Sequence, residues 1–378
     1  MFVYADNAAT TRLSETALAA MLPCLREQYG NPSSLHAAGQ AASGVLVRAR
    51  ETMARLLGCT PHELVFTSGG SESDNQALLS AAALGAAQGR CHIVSTAFEH
   101  HAVLHTLNRL RARGFDVTLL PVHDDGVVTA ADIAAALRPD TCLVSVMYAN
   151  NEIGTIQPAD EIGALCRARG VLFHTDAVQA AGHLPIDLAA QPIDLLSLSA
   201  HKFHGPKGVG LLYARRGVQL TPLIDGGAQE RGLRAGTENV PGIAAMAAAF
   251  EESCTHMTES ACRVSALRDR LTAGLSQIPG ALLNGSAAHR LPGIMNFCFE
   301  GVDGETLLLL LDQAGICVST GSACAAGSVD PSHVLLALGR TRAQAHSSIR
   351  LSLSDETTDA EVDYLLETVP ACIARLRG

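Results

Sequence analysis

Between residues 60 and 215 the chain alternates short apolar runs rich in β-branched residues with longer stretches rich in alanine, leucine and arginine. This alternation constrains the fold most, because repeated strand–helix–strand units pack as a parallel sheet covered by helices. The expected strands are 64–67, 92–95, 117–121, 143–148, 171–174, 195–197 and 209–213, with helices at 72–84, 102–113 and 158–169 among them. The apolar runs are nearly continuous rather than alternating, the pattern of strands covered on both faces. An alanine-rich helix over 241–254 leads to a second segment with a strand at 294–299, a very apolar helix at 305–313 and a strand at 316–319. That segment reads as α+β. The expected division is a large α/β domain over 13–255 and a smaller α+β domain formed by 1–12 with 256–378, joined by helix rather than by a low-complexity tether.

At 378 residues the chain is long enough for two such cores. No apolar run reaches 18 residues and the first dozen lack a basic-then-apolar leader pattern, so a cytoplasmic protein without membrane binding is expected. A formal net charge of -10 without a basic face argues against nucleic acid as a ligand. Eleven cysteines with no C-x-x-C pair suit a reducing compartment. Of 27 lysines and arginines, only Lys202 and Lys207 are lysines. Arginine stays protonated and cannot form a Schiff base, so a chain that keeps lysine only here points to amine chemistry here, unless the two are survivors of a lysine-poor composition.

Four strand-end clusters carry candidate chemistry. Residues 67–75 (TSGGSESDN) follow a strand and open a helix, placing Gly70 and Ser71 where an anion can sit on helix amides; an ordinary cap at Ser71 suits the same residues. The spacing is not that of a nucleotide P-loop, so a single phosphate is the better match. In 174–179 (HTDAVQ), Asp176 lies just beyond the carboxyl end of an apolar strand, placed either to pair with a pyridinium nitrogen or to cap the next helix. In 195–208 (LLSLSAHKFHGPKG), Lys202 stands at the strand end, whereas Lys207 lies in a turn, making Lys202 the better Schiff-base candidate. In 319–328 (STGSACAAGS), Cys324 sits among small residues, as suits an exposed nucleophile, while Cys317 reads as core. Arg350, on a strand in 348–354 (SIRLSLS), offers a bidentate carboxylate clamp. His100 follows a strand and suits ring stacking or proton transfer. His101 and His105 have i, i+4 spacing, but without a third ligand in the pattern no side-chain metal site is expected.

Residues 4–11 (YADNAATT), 30–36 (GNPSSLH), 68–75, 150–154 (NNEIG), 201–208, 234–239 (RAGTEN) and the Cys324 segment, in this order, resemble the cysteine desulfurases, and the likeness runs nearly end to end. The setting of Cys324 is similar to the NifS/IscS branch. The resemblance implies the fold-type I architecture of class V pyridoxal-phosphate enzymes, with a large, mainly parallel mixed sheet and a homodimer whose sites lie at the subunit interface. Lys202 then looks like the cofactor-binding lysine, Asp176 the pyridinium partner, Gln179 the donor to the phenolic oxygen and His100 the stacking acid/base. Gly70, Ser71, Ser199 and His201 resemble phosphate-binding positions and Ala200 a cofactor-binding one, with Thr237 reaching the phosphate of the neighbouring subunit. Asn151 and Arg350 resemble the substrate- and cofactor-orienting pair. The implied reaction converts L-cysteine to L-alanine and leaves a persulfide on Cys324 for an acceptor protein such as an iron–sulfur scaffold, with transient iron–sulfur contact at Cys324 the one metal contact implied. A class V aminotransferase or selenocysteine lyase shares this cofactor site, and a cofactor-free sulfur carrier needs Cys324 alone. The sequence stops at Gly378 without the longer tail expected of members that dock a scaffold.

Overall fold

A computed structural model describes residues 1–320 and 330–378. In chain order its first half runs β1 (Val3–Tyr4), α1 (Glu15–Arg26), α2 (Ala37–Leu57), β2 (Leu64–Thr67), α3 (Gly70–Ala87), β3 (His92–Thr96), α4 (His101–Arg111), β4 (Asp116–Leu120), α5 (Ala130–Ala136) and β5 (Thr141–Ser145). It continues through α6 (Ala159–Arg169), β6 (Leu172–Asp176), β7 (Leu195–Ser199), β8 (Gly210–Ala214) and α7 (Val240–Leu275). The remainder comprises β9 (Ala281–Leu283), β10 (Ile294–Phe299), α8 (Gly304–Gln313), β11 (Ile316–Cys317), α9 (His333–Ala337), α10 (Arg342–His346), β12 (Ser348–Ser352) and α11 (Asp359–Arg377).

Seven strands form one sheet in the order β2-β8-β7-β6-β5-β3-β4. The pairs from β7 to β4 are parallel, while β8 runs antiparallel to both β7 and β2. Two reversals restore direction, so β2 points the same way as β7. The segments after β2, β3, β5, β6 and β7 therefore all emerge at one edge, where α/β sheets gather ligand-binding residues. Every residue of β2, β3, β5, β7 and β8 is buried, as their unbroken apolar runs require when helices cover both faces.

A three-stranded sheet, β12-β10-β9, and the parallel pair β1-β11 build around a second core. Phe297, Phe299, Leu307, Leu311, Ile349 and Leu351 fill it, together with Val3 of the first strand and Ala5 just after it. Helix α7 reaches from one core to the other. Its first turns bury Ile243, Met246 and Phe250 in the first core, and its last turns bury Val264, Leu267 and Leu271 in the second. The sequence suggests a helix ending near 254, but the apolar positions at 264, 267, 271 and 275 keep helical spacing, and the helix runs on to Leu275. The expected α/β class is what the molecule shows: a mainly parallel mixed sheet wrapped in helices, with a smaller α+β unit beside it. Among the described residues no helix is long and apolar enough to cross a membrane.

Phe297 is fully buried and stacks on Phe299 with ring centroids 5.7 Å apart. Phe297→Ala should destabilise the second core by about 3–5 kcal/mol through lost transfer energy and the cavity left behind. Chemical denaturation followed by near-ultraviolet signal checks this, and a loss under about 1 kcal/mol would mean that the core is not packed as described.

Candidate active site

The carboxyl edge of the large sheet opens into a cleft of about 1190 Å³. The turn between β2 and α3 places Gly70 and Ser71 on one wall. The helix starts after Gly69 with no side-chain cap, so Ser71 is not the capping residue that its position in the sequence allows, and the first-turn amides point to the cleft without an intrahelical partner. A Cβ on Gly70 would come within 2.5 Å of the Val178 Cγ2, so glycine is what lets this turn approach the floor of the site. Glu72 turns away from the cleft, accepting from the Ser68 N–H at 2.7 Å and from the Arg234 Nε–H at 2.9 Å.

Asp176 closes β6, the last residue of the strand rather than the first beyond it, and is 5% exposed. Its Oδ1 accepts from the Val178 N–H at 2.9 Å. Burial pushes this carboxyl up to about 6 although the Val178 amide and the Lys202 charge oppose it. Lys202 ends the single helical turn that follows β7. Its Nζ donates to the carbonyl oxygens of Ala8 at 2.6 Å and Ala9 at 2.7 Å. Gln179 Nε2 donates to the same Ala8 carbonyl at 2.9 Å. The amine, the amide and the carboxylate thus share one floor, tied to the N-terminal segment.

His100 lies between β3 and α4 and caps that helix, its Nδ1 accepting from the Ala102 N–H at 3.2 Å. The proton therefore sits on Nε2. Burial first, then the Lys202 charge, pulls His100 down to about 4, so the imidazole is neutral at pH 7. His201 is likewise held at about 4 by burial and the two lysines, with Nδ1 3.1 Å from the Thr10 hydroxyl. Ser199 and Asn151 also line the cleft. Arg350, 2% exposed, reaches it from β12: Nη1 donates to the Asn151 carbonyl at 2.9 Å and Nη2 to Asp6 Oδ1 at 2.8 Å, while Nε is buried without a partner among the described residues.

Two expected residues are not on the cleft wall. Ala200 is fully buried beneath it, contributing a carbonyl that accepts from the Phe203 and Gly205 amides. Thr237 stands exposed on the loop before α7, away from this chain's cleft. Cys324 lies outside the described residues. The structure also adds groups that the motifs did not single out. Asp74, one helical turn after Gly70 on the same face, lines the cleft at 1% exposure, and its Oδ1 lies 3.6 Å from His174 Nε2. One ligand atom each from Asp74, His100 and Asp176 lie within 4.8 Å of one another. Burial and the neighbouring Asp176 raise Asp74 well above the usual range. Glu99, fully buried, accepts from the Thr96 hydroxyl at 2.6 Å and the Met147 N–H at 3.1 Å, and burial pushes it up to about 8. The signal for Asp74 was its i, i+4 relation to Gly70; nothing local marks Glu99. Its neighbours His101 and His105 have ring centroids 5.2 Å apart, with His333 4.6 Å from His101.

Since Glu99 is protonated when folded and ionises at ordinary carboxyl values when unfolded, its contribution is full below about pH 4.5 and is lost as pH rises through about 8. Glu99→Gln keeps a neutral group of the same shape. The variant should lose less thermal stability than the parent between pH 5 and pH 9; an equal loss in both would show that Glu99 is ionised in the folded protein.

The aminotransferase class-V family model matches residues 3–365. A cysteine desulfurase IscS from Methanosarcina thermophila is 49% identical over 376 residues, covering 100% of this chain and 93% of that protein. A solved NifS-like protein is 41% identical with a TM-score of 0.93, covering 99% of this chain and 100% of that one. A solved structure described as SspA in complex with cysteine is 35% identical with a TM-score of 0.82, covering 94% and 100%.

Proposed function

The chain belongs to the aminotransferase class-V family, in its NifS/IscS-like cysteine desulfurase branch, and from that premise we propose that it is a pyridoxal-phosphate-dependent enzyme converting L-cysteine to L-alanine, with the sulfur passing to Cys324. The observation that carries this reading is the meeting, on one cleft, of an uncapped helix N-terminus at Gly70–Ser71, a buried carboxyl at Asp176 and the Lys202 amine. That donor set fits the cofactor's chemistry: helix amides for a phosphate, a carboxylate for a ring nitrogen and an amine for an aldehyde. The Arg350 Nε, buried without a partner among the described residues, is a further polar atom a bound molecule can satisfy.

In this reading Gly70, Ser71, Ser199 and His201 hold the phosphate, and Ala200, its amide bonded to the Val209 carbonyl, supports them from beneath. Thr237 lies off this chain's cleft and serves the site of a second copy, which makes the working unit a homodimer. Asp176 pairs with the ring nitrogen, Gln179 with the phenolic oxygen, and His100 lies against the ring. When bound, the cofactor supplies an electron sink for the pair left at the substrate α-carbon. Lys202 Nζ would hold the cofactor's aldehyde carbon, and its amine could move the α-proton. His100, neutral with its proton on Nε2, is a donor beside it. Arg350 and Asn151 orient the substrate carboxylate, a role for which a guanidinium with a free Nε is suited. The Cys324 thiolate would attack the substrate sulfur as the substrate Cβ–S bond breaks, the carbon keeping that electron pair and taking a proton on the way to alanine, so that a persulfide is left on Cys324 for an acceptor protein such as an iron–sulfur scaffold.

The related structure holding cysteine favours L-cysteine over a keto-acid-consuming aminotransferase reaction. A location in the cytoplasm and the division into a cofactor-binding domain over 13–255 and a smaller domain of 1–12 with 256–378 belong to the same reading.

Incubation with L-cysteine and a reductant should give alanine and sulfide in equal amounts. Lys202→Ala should lower that rate by at least about 10³-fold. Cys324→Ala should retain a visible cofactor band yet release no alanine. Full turnover by Cys324→Ala would remove the thiol from the mechanism, and full turnover by Lys202→Ala would make that lysine structural.

A further inference from the structure

The turn that follows Lys202 is held from several sides. His204, two residues on, has φ 62, in the left-handed region that a side chain of this size rarely occupies. Its N–H donates to Thr11 Oγ1 at 2.8 Å, and its carbonyl accepts from the Ser14 N–H at 3.0 Å. The backbone twist aims the imidazole between two acceptors. Nδ1 lies 3.0 Å from the Arg12 carbonyl oxygen, and Nε2 lies 2.9 Å from Asp355 Oδ1, just beyond β12. A carbonyl oxygen only accepts, and an ionised carboxylate only accepts, so both ring nitrogens must carry hydrogen at once. Only the imidazolium satisfies both contacts. His183 supplies a contrast: its Nε2 faces the Lys202 carbonyl at 2.9 Å, and among the described residues no second acceptor bonds its other nitrogen, so a neutral ring suffices there.

We propose that His204 is a positioning residue which, as an imidazolium, braces the Lys202 turn against the second core through Arg12 and Asp355. Only the importance of Lys202 is taken from the function proposed above; the brace itself stands on the hydrogen-bond geometry. The charged surroundings support a cation. Glu356 neighbours Asp355, Glu252 and Glu259 of α7 and Glu15 of α1 line the adjoining groove, and the opposing groups there are His183, His256 and Arg263. Arg263 is engaged with the Thr357 carbonyl at 2.8 Å and with the Asp355 carbonyl. Burial opposes the charge most, but Asp355, the Arg12 carbonyl and Glu356 together overcome it and raise His204 above its usual value, while the hydrogen bond from His204 holds Asp355 below the usual carboxylate range. The linkage follows in sign. The His204 contribution is complete below pH 6.5 and is lost as pH rises through the raised value, while that of Asp355 is lost only as pH falls below 3.8. Between those limits the brace is closed.

The test is the thermal stability, from pH 6 to pH 9, of the full-length protein purified with pyridoxal phosphate, comparing the parent with Asp355→Asn and His204→Asn. Asparagine tolerates the left-handed backbone at 204, so the second variant keeps the turn. At pH 6 the parent should melt about 1–3 °C above Asp355→Asn, and this margin should vanish by pH 9. His204→Asn should show the same pH-dependent part on top of any constant packing loss. Hydroxylamine should release lysine-bound cofactor severalfold faster from Asp355→Asn than from the parent at pH 6.5, with the two rates converging at pH 9. A margin that is constant from pH 6 to pH 9, or release rates that match at pH 6.5, would overturn the brace. A pH-dependent margin in protein that carries no lysine-bound cofactor would uphold the charged pair and remove Lys202 from the cofactor site.

Discussion

The site depends on the contact between Lys202 Nζ and the carbonyl oxygens of Ala8 and Ala9. That contact sews the N-terminal segment across the mouth of the large sheet. Residues before it belong to the second core, where Val3 pairs with Ile316 and Asp6 holds Arg350. Residues after it grip the Lys202 turn, with Thr11 donating from its amide and its hydroxyl to the His201 carbonyl and Thr11 Oγ1 accepting from His204. A dozen residues with little regular structure thereby join an amine on one unit to a guanidinium on the other. Backbone carbonyls suit this task, because they hold an ammonium by dipole without adding another charge to a buried site.

The same cleft concentrates carboxyls against few cations. Asp74 and Asp176 line it and Glu99 is buried close to both, and all three are raised above ordinary carboxyl values, with burial the largest cause. In low dielectric, like charges at such separations do not all ionise, so the protons are distributed unevenly. Asp176 is the least displaced of those given a value, because Lys202 and the Val178 amide favour its anion. Desolvation acts in the opposite sense on the imidazoles, and His100 and His174 are both left neutral, at about 4 and about 3. The site is therefore assembled from groups whose protonation is set by burial before any ligand arrives.

Much of this was legible in the sequence where physics is local. The strand at Leu64–Thr67 and the strand at Ile294–Phe299 follow from continuous apolar runs bounded by polar residues, and both lie where those runs place them. Helices α1 and α2 carried no comparable signal: α2 is built from small alanines and glycines with low apolar contrast, and it is packing against α7 that defines its buried face. The antiparallel insertion of β8 between β2 and β7 is a tertiary choice that no strand-length pattern encodes. In the site, Lys202, Asp176, Gly70 and Arg350 stand out as unusual residue types at strand or helix ends. Asp74 and Glu99 do not, since a carboxylate early in a helix usually reads as a cap or a solvated charge. Only the depth of the sheet above them makes their burial visible. The N-terminal carbonyls that hold Lys202 lie 193 and 194 residues away in sequence.

Because Lys202 and Lys207 are the chain's two lysines, the site of cofactor attachment can be read without ambiguity. The direct measurement is borohydride reduction of protein purified with pyridoxal phosphate, followed by digestion and mass analysis of the peptides spanning 201–208. The added mass should fall wholly on Lys202. Attachment at Lys207, or no attachment to either lysine in protein shown to be folded, would contradict the placement of the chemistry at the carboxyl edge of β7.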